Sequence, residues 1–247
     1  MKKITFTNSQ GIELVGLLDE VSEDKKIVIF THGFTSDYNG SSGTAVSQGL
    51  HDAGMNCLRI TLFGHGESQG DFSEFTVSEG IDDVLCAIKY VKSLGYEKIG
   101  IGGASLGGIT SLGAALNNKD VLKLGLIAPV SDFPELLDAK EDCDIEEWKK
   151  TDSYVYKEKE GVKYALKYYF YEDSKKWIMY DKVKTISCPV LIIHGTEDKS
   201  VPLAQSEKLI KQVKGELRVI DGADHRFTEK EHMDKGVSYL VDFFKEL

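Results

Sequence analysis

Hydrophobic residues fall into short continuous runs that alternate with longer stretches in which they recur every three or four positions. Continuous runs of this length predict strands buried on both faces of a sheet, and the longer stretches predict amphipathic helices. Strands alternating with helices predict an α/β fold, with a mostly parallel central sheet and helices on both of its faces. The predicted strands span residues 3–7, 12–18, 27–31, 57–61, 98–102, 122–128, 190–194 and 217–220.

The alternation breaks between about residues 131 and 187. This interval is too long for a single crossover helix, and it is rich in charged residues, tyrosine and tryptophan. A structureless loop of this length is uncommon in a compact protein. We therefore predict an inserted, largely helical cap over the carboxyl edge of the sheet. Because no linker rich in Pro or Gly flanks it, residues 1–247 are expected to form a single α/β domain.

Composition is that of an ordinary globular protein, with 41% hydrophobic and 28% charged residues. The formal net charge is −10, and no basic stripe is present that could neutralise phosphates, so no nucleic-acid partner is expected. No stretch approaches the roughly 18 apolar residues of a membrane span. Met1-Lys2-Lys3 resembles the start of a signal peptide, but Ile-Thr-Phe-Thr-Asn-Ser-Gln follows in place of an apolar region. We expect a cytoplasmic protein whose four scattered cysteines are reduced core thiols.

Residues 98–114 hold the main candidate for chemistry. A predicted strand ends at Gly103-Ala104-Ser105-Leu106-Gly107, and a helical pattern begins at once. This Gly-x-Ser-x-Gly pattern matches the nucleophile elbow, a strained turn that exposes the serine hydroxyl above the sheet edge. Side chains at the two flanking glycines would collide with neighbouring backbone in so tight a turn. A serine that merely caps a helix gives the same local pattern, so Ser105 as nucleophile depends on partners elsewhere.

A serine nucleophile needs a base within hydrogen-bond reach. Of the six histidines, His225 lies in the loop after the last predicted strand, where a side chain can reach back over the sheet edge. We predict His225 as the base, with His65, in a loop between two glycines, as the alternative. His32 and His194 end buried strands and are expected to pack and bond locally.

The base needs an acid that orients it. Asp198 follows the strand at 190–194, at the carboxyl edge where α/β sheets place site residues. We favour it over Glu197 because it lies deeper in the turn, and Asp224, beside His225, is a further alternative. The resulting order Ser, Asp, His is that of α/β-hydrolases.

The oxyanion formed during ester attack needs backbone donors, and losing one costs about 3–4 kcal/mol of transition-state stabilisation. The N–H of Leu106, directly after the nucleophile, is one predicted donor. The N–H of Phe34, in His32-Gly33-Phe34 after the third strand, is the other. These two residues form the predicted oxyanion hole.

Together these segments resemble the α/β-hydrolase superfamily over nearly the whole chain. The likeness is carried by His32-Gly33-Phe34, Gly64-His65-Gly66-Glu67-Ser68, Gly103-Ala104-Ser105-Leu106-Gly107, His194-Gly195-Thr196-Glu197-Asp198 and Gly222-Ala223-Asp224-His225. Within the superfamily, the His-Gly-Phe-Thr segment, the Gly-Glu-Ser-Gln-Gly-Asp-Phe loop and the aromatic insertion look most like bacterial cinnamoyl and feruloyl esterases. This chain departs from that pattern beside the serine: many relatives have histidine where Ala104 stands, and some have glutamine where Leu106 stands.

The resemblance implies a serine carboxylic-ester hydrolase that needs no cofactor or metal. It would act on aromatic, hydroxycinnamoyl-type or short acyl esters through an acyl-enzyme, and the insertion would form part of the acyl pocket. The expected partner is a small-molecule ester, and association into a homodimer stays open.

Several other functions are compatible with parts of this pattern. A monoacylglycerol lipase or a thioesterase would use the same residues with an aliphatic acyl pocket. A dehalogenase or an epoxide hydrolase would need an aspartate where Ser105 stands. A non-catalytic binding module on a hydrolase scaffold would normally lack a member of the triad or the oxyanion glycine, and this chain lacks neither.

Overall fold

The computed structural model describes residues 1–159 and 161–247 and contains one eight-stranded and one two-stranded sheet. The strands are β1 (Lys2–Thr7), β2 (Glu13–Asp19), β3 (Lys26–Thr31), β4 (Asn56–Ile60), β5 (Lys98–Ala104), β6 (Val121–Ile127), β7 (Tyr154–Lys159), β8 (Val162–Leu166), β9 (Val190–Gly195) and β10 (Gly215–Ile220). The α-helices are α1 (Ser41–Asp52), α2 (Val77–Ser93), α3 (Leu106–Asn117), α4 (Phe133–Asp138), α5 (Ile145–Thr151), α6 (Tyr169–Ser174), α7 (Met179–Lys182), α8 (Leu203–Ile210) and α9 (Lys230–Lys245).

The large sheet has the strand order β1-β2-β4-β3-β5-β6-β9-β10. The strands β1 and β2 form an antiparallel hairpin, as the turn sequence Asn-Ser-Gln-Gly at residues 8–11 predicts. The strand β2 also pairs antiparallel with β4, and every pairing from β4 to β10 is parallel. The predicted α/β fold is therefore confirmed. Because the parallel strands share one direction, the loops after β3, β5, β9 and β10 leave from the same edge of the sheet, which is where α/β folds place ligand sites.

Helices cover both faces of this sheet, and alternate residues of each central strand serve the two faces. In β3, Ile27 and Ile29 belong to the core that includes residues of α2 and α3, whereas Val28 and Phe30 belong to the core that includes residues of α1 and α9. Side chains alternate between faces along a strand. A strand covered on both sides therefore has the uninterrupted hydrophobic run seen in the sequence.

The cap lies between β6 and β9 and contains α4, α5, α6, α7 and the antiparallel hairpin of β7 and β8. The helices agree with the predicted cap, but its pattern did not predict the hairpin. The sequence Tyr-Val-Tyr-Lys-Glu-Lys of β7 has one aliphatic residue, Val155, and its last three residues are charged. That residues 1–247 form a single domain stays a prediction.

Other local predictions are also met. The sequence offers Thr76 and Ser78 as caps for the helix that follows, and the side chain of Thr76 accepts a hydrogen bond from the N–H of Glu79 at the start of α2. All four cysteines are free and buried. The sequence pattern predicts a helix over residues 204–214, whereas α8 ends at Ile210. None of the described helices has both the length and the hydropathy needed to cross a bilayer.

Candidate active site

Ser105 occupies a strained turn between β5 and α3. Its backbone has φ 55° and ψ −114°, a region that residues other than glycine rarely adopt. The Ser105 N–H donates to the carbonyl of Ile127 (3.0 Å), and its carbonyl accepts from the N–H groups of Gly108 (2.9 Å) and Val130 (3.1 Å). Hydrogen bonds on both sides of the turn thus hold the strained backbone, as expected for strain stored at a functional site.

The two glycines that flank Ser105 allow this turn to form. A Cβ at Gly103 would lie 2.2 Å from the carbonyl oxygen of Gly107, and a Cβ at Gly107 would lie 2.2 Å from that of Thr31. Both distances are far below van der Waals contact, and the obstacles are backbone atoms. The predicted collision at both positions is therefore confirmed.

Asp198 and His225 are hydrogen-bonded partners. The Asp198 Oδ2 atom lies 2.7 Å from His225 Nδ1, and the Asp198 side chain is fully buried. The other carboxylate oxygen, Oδ1, accepts from the N–H groups of Ser200 and Val201, both at 2.8 Å. Burial by itself would raise the pKa of Asp198, but hydrogen bonds from His194 and His225, the charge of His225 and the Val201 N–H outweigh burial and hold that pKa far below its usual value. Asp198 is therefore an anion at neutral pH.

Asp198 also has a second imidazole neighbour, which the sequence did not indicate. His194, the penultimate residue of β9, places Nε2 3.2 Å from Asp198 Oδ2 and 2.9 Å from the carbonyl of Val201. The contact with the Val201 carbonyl agrees with the expectation that His194 bonds locally. The contact with the Asp198 carboxylate was not predicted. A signal was present, because a histidine that ends a buried strand needs polar partners and Asp198 lies four positions later.

One cavity of about 420 Å³ contains Ser105, His225 and Phe34 in its wall. Leu106 is buried and begins α3 directly after Ser105, so its N–H belongs to the first turn of a helix. Among the described residues, no hydrogen-bond partner is found for Ser105 Oγ. The structure thus brings Ser105 and His225 to one cavity without a direct hydrogen bond between their side chains, a separation often seen in enzymes without substrate.

His32 fixes the peptide that carries the N–H of Phe34. Its Nδ1 lies 2.8 Å from the carbonyl of Gly33, which can only accept, so Nδ1 carries a proton. Its Nε2 accepts from the N–H of Leu62 at 3.1 Å. Burial lowers the pKa of His32 to about 4, so the ring is neutral at physiological pH. The Gly33 carbonyl and the Phe34 N–H belong to one peptide unit, which His32 therefore holds in place.

The alternatives left open by the sequence have other partners. Nδ1 of His65 lies 2.8 Å from the carbonyl of Phe63. Burial, together with repulsion from His32 where that ring is protonated at low pH, lowers the pKa of His65 to about 3. The Asp224 carboxylate accepts from the N–H (2.8 Å) and the hydroxyl (2.6 Å) of Thr228. Glu197 is exposed. The geometry favours His225 and Asp198 over all three.

The cap contributes an aromatic and apolar part of the cavity wall. Tyr156 of β7 has its ring 4.6 Å from that of Phe34, centroid to centroid, and both line the cavity with Val130 and Leu136. Other aromatic residues of the cap pack internally; Trp148, for example, is fully buried and donates through Nε1 to the carbonyl of Leu166. The cavity therefore combines the polar side chains of Ser105 and His225 with an apolar part of its wall, as small-molecule sites usually do.

Comparison with known proteins gives matches over most of the chain. The profile described as the prolyl oligopeptidase family matches residues 48–247. The mitochondrial palmitoyl-protein thioesterase ABHD10 of Pongo abelii is 28% identical over 231 residues, covering 89% of this chain and 73% of that protein. An acyl transferase of Shewanella hanedai is 24% identical over 235 residues, covering 85% of this chain and 70% of that protein. The structure of ferulic acid bound to Est1E from Butyrivibrio proteoclasticus has a TM-score of 0.85 and 26% identity, covering 98% of this chain and 99% of that chain.

Proposed function

The chain belongs to the prolyl oligopeptidase family and has the α/β-hydrolase fold, and on this premise we propose that it is a serine carboxylic-ester hydrolase. The observation that carries the proposal is one cavity whose wall includes Ser105 and His225, with Asp198 hydrogen-bonded behind His225. A serine on a strained strand-to-helix turn and a histidine oriented by a buried carboxylate are the parts that acyl transfer requires.

The reaction proceeds in two halves. Ser105 Oγ attacks the carbonyl carbon of the ester while Nε2 of His225 takes the serine proton, which gives a tetrahedral intermediate. The N–H groups of Phe34 and Leu106 stabilise its oxyanion. His225 then returns the proton to the leaving alcohol, and the C–O bond to that alcohol breaks. Water attacks the acyl-enzyme by the same route and releases the carboxylic acid.

Asp198 acts by orienting the base. Its Oδ2 accepts a hydrogen bond from the protonated Nδ1 of His225, which leaves Nε2 free to receive the proton of Ser105. Because the Asp198 carboxylate is anionic and buried, it also stabilises the imidazolium that forms at each proton transfer. Asp198 itself stays ionised throughout.

The substrate class we propose is an ester of an aromatic, hydroxycinnamoyl-type acid or of a short acyl group. The paired rings of Phe34 and Tyr156, with Leu136 beside them in the cavity wall, suit a flat aromatic acyl group. The similarity to Est1E, whose structure contains ferulic acid, supports the same class.

A second candidate is thioester hydrolysis, which would use the same residues. It is favoured by the similarity to ABHD10 proteins named palmitoyl-protein thioesterases, including one from Homo sapiens that is 27% identical over 231 residues and covers 89% of this chain and 73% of that protein. A thiolate is a better leaving group than an alkoxide, so a thioesterase depends less on proton delivery by His225. The two candidates differ in substrate, not in the residues that perform the chemistry.

A substrate panel tested on wild-type and Ser105→Ala proteins separates these functions. Purified protein is assayed with p-nitrophenyl acetate, p-nitrophenyl palmitate, methyl ferulate and a palmitoyl thioester, and labelling by a fluorophosphonate is followed by intact mass. We expect the wild-type protein to hydrolyse p-nitrophenyl acetate and methyl ferulate and to carry a single label on Ser105. In Ser105→Ala, hydrolysis and labelling should both be lost. Ser42→Ala, which alters another serine of the cavity wall, serves as the matched control and keeps the label. Preference for the palmitoyl thioester favours the second candidate, and unchanged hydrolysis by Ser105→Ala excludes both.

A further inference from the structure

His194 is a buried imidazole that the proposed mechanism does not use. Its side chain is fully buried and lies between the end of β9, the turn that carries Asp198 and the helix α8. Three polar atoms surround its two ring nitrogens. Nδ1 lies 2.7 Å from the hydroxyl oxygen of Ser206, and Nε2 lies 2.9 Å from the carbonyl oxygen of Val201 and 3.2 Å from Asp198 Oδ2.

These neighbours determine which nitrogen of His194 carries the proton. A carbonyl oxygen and an ionised carboxylate can only accept hydrogen bonds, so Nε2 must be protonated. The hydroxyl of Ser206 can donate, and it supplies a hydrogen bond to an unprotonated Nδ1. The neutral ring with its proton on Nε2 therefore satisfies all three contacts, and the opposite tautomer would place a lone pair against two acceptors.

With this tautomer, Asp198 is surrounded by donors. Oδ1 accepts two backbone N–H groups, from Ser200 and Val201, while Oδ2 accepts the shorter bond from His225 and the longer one from His194. A carboxylate held on both oxygens cannot rotate about its side-chain bonds without breaking several hydrogen bonds at once. Its orientation toward His225 is then fixed before substrate arrives.

We propose that His194 is a positioning residue for the acid of the triad, donating through Nε2 to Asp198 Oδ2 and thereby setting both the direction and the strength of the Asp198 hydrogen bond to His225. This inference rests on the proposed function, in which Asp198 orients the base His225. His194 does not touch the reacting atoms.

Removing the His194 donor should change the pH dependence of the reaction. An anion that receives one donor fewer keeps more of its charge for its remaining partner, so Asp198 without His194 stabilises protonated His225 more strongly. The enzyme then loses its free base at a higher pH. The acid limb of the pH profile of kcat/KM should move upward when the Nε2 donor is removed.

Other charges near the pair are the same in every variant considered. Around Asp198 and His225 these charged side chains are Lys157 and Arg226, which line the same cavity, and Glu197, Lys199 and Asp224 in the two loops. The Asp224 carboxylate accepts a hydrogen bond from the Thr228 hydroxyl. Because the substitutions leave these groups unchanged, a shift of the acid limb reports on His194 alone.

Two substitutions at position 194 separate the two ends of the ring. The side-chain amide in His194→Gln reaches the place of Nε2 and can donate to Asp198, whereas the amide in His194→Asn reaches only the place of Nδ1 and can accept from Ser206. For p-nitrophenyl acetate, we expect His194→Asn to lower kcat about tenfold with little change in KM and to raise the acid limb by about half to one pH unit. His194→Gln should keep an acid limb within about 0.2 pH units of the wild type.

The outcomes are distinguishable from a failure of the proposed function. If Ser105→Ala is inactive but the acid limb stays unmoved in a folded His194→Asn, or moves equally in His194→Gln, the inference about His194 is wrong while the esterase proposal stands. Should His194→Asn not fold, ¹⁵N-histidine NMR of the wild-type protein decides: protonated Nε2 on His194 supports the proposal, and protonation on Nδ1 alone overturns it.

Discussion

Asp198 Oδ2 lies 2.7 Å from His225 Nδ1, although the two residues are 27 positions apart in the chain. The contact follows from the parallel pairing of β9 with β10, in which Gly195 is the partner of Ile220. The turn after β9 and the loop after β10 therefore begin side by side at the carboxyl edge of the sheet. Strand register therefore brings together Asp198 and His225, the proposed acid and base, without a direct contact to the segment that carries Ser105.

Substituting Asp198 tests this pair. In Asp198→Asn the amide oxygen stays on the N–H groups of Ser200 and Val201, which turns the amide nitrogen, a donor, toward His225 Nδ1. The imidazole then adopts the opposite tautomer, with its proton on Nε2, and cannot accept from Ser105. We expect kcat for p-nitrophenyl acetate to fall about 10³- to 10⁴-fold with KM little changed.

The neighbouring aspartate supplies the control for that experiment. Asp224 is the sequence alternative to Asp198, and its carboxylate accepts hydrogen bonds from Thr228. Asp224→Asn should retain activity within about threefold of the wild type. A loss of activity in Asp224→Asn as large as that in Asp198→Asn would mean that the acid has been assigned to the wrong residue.

The elbow glycine Gly107 gives a second prediction. A Cβ there would lie 2.2 Å from the carbonyl of Thr31 and 2.7 Å from that of His32, so the end of β3 or the start of α3 must move. Since β3 leads into the Gly33-Phe34 peptide, such a movement also displaces a proposed oxyanion donor. We expect Gly107→Ala to lower kcat/KM at least about 100-fold and to lower the melting temperature, as measured by circular dichroism.

A glycine in α9 makes the matched comparison. Gly236 is a buried helical position at which a Cβ would meet only ordinary contacts, the nearest at 3.7 Å. Alanine favours the helix over glycine there by about 0.5–1 kcal/mol, so Gly236→Ala should be fully active and slightly more stable. If Gly107→Ala were tolerated as well as Gly236→Ala, the close approach at the elbow would not constrain the enzyme.

The sequence predicted the parts of the site that have a local cause. The pattern Gly-x-Ser-x-Gly predicted the strained turn at Ser105 because the turn demands small residues, and uninterrupted hydrophobic runs predicted the strands whose loops carry Asp198 and His225. It could not predict that Asp173 of the cap contacts Ser78, because 95 positions separate them and neither residue has a periodic signal. The hairpin of β7 and β8 was missed since its polar strands lack the pattern that burial imposes.

The contact between Asp173 and Ser78 leads to a third prediction. The buried Asp173 carboxylate accepts from the Ser78 N–H (2.8 Å) and hydroxyl (2.7 Å) in the first turn of α2. A residue of the inserted segment therefore satisfies a free N–H at the start of that helix. The Ser78 hydroxyl oxygen also accepts from Trp177 Nε1 at 2.7 Å. Asp173→Ala should lower the free energy of unfolding by about 1–3 kcal/mol and increase amide exchange in α6.

A surface aspartate of the cap is the control for this effect. The Asp181 side chain is 92% exposed and contacts Lys184 only three positions away, so Asp181→Ala should leave both urea unfolding and amide exchange unchanged. Equal behaviour of the two alanine variants would show that Asp173 does not hold the cap to α2.

Asp83 gives a fourth prediction, which concerns stability and pH. This α2 carboxyl is fully buried, accepts from the Phe63 N–H at 2.7 Å, and has the acidic side chains of Glu79 and Asp82 nearby. Burial raises its pKa to about 8, with the charges of Glu79 and Asp82 acting in the same direction. Between about pH 4 and pH 8 the folded protein therefore keeps a proton that the unfolded chain has lost.

The sign of the effect follows from that difference in bound protons. Because the folded state binds more protons in this window, Asp83 makes the free energy of unfolding decrease as pH rises, by at most about 1.4 kcal/mol per pH unit, and adds no further change above pH 8. Asp83→Asn removes the titration while its amide oxygen can still accept from Phe63. In urea unfolding at pH 5 and pH 8, the variant should lose less stability than the wild type over that interval. The exposed control Asp120→Asn should have the same free energy of unfolding as the wild type at pH 5 and at pH 8. If the stability of Asp83→Asn falls as steeply as that of the wild type, Asp83 is ionised in the folded protein.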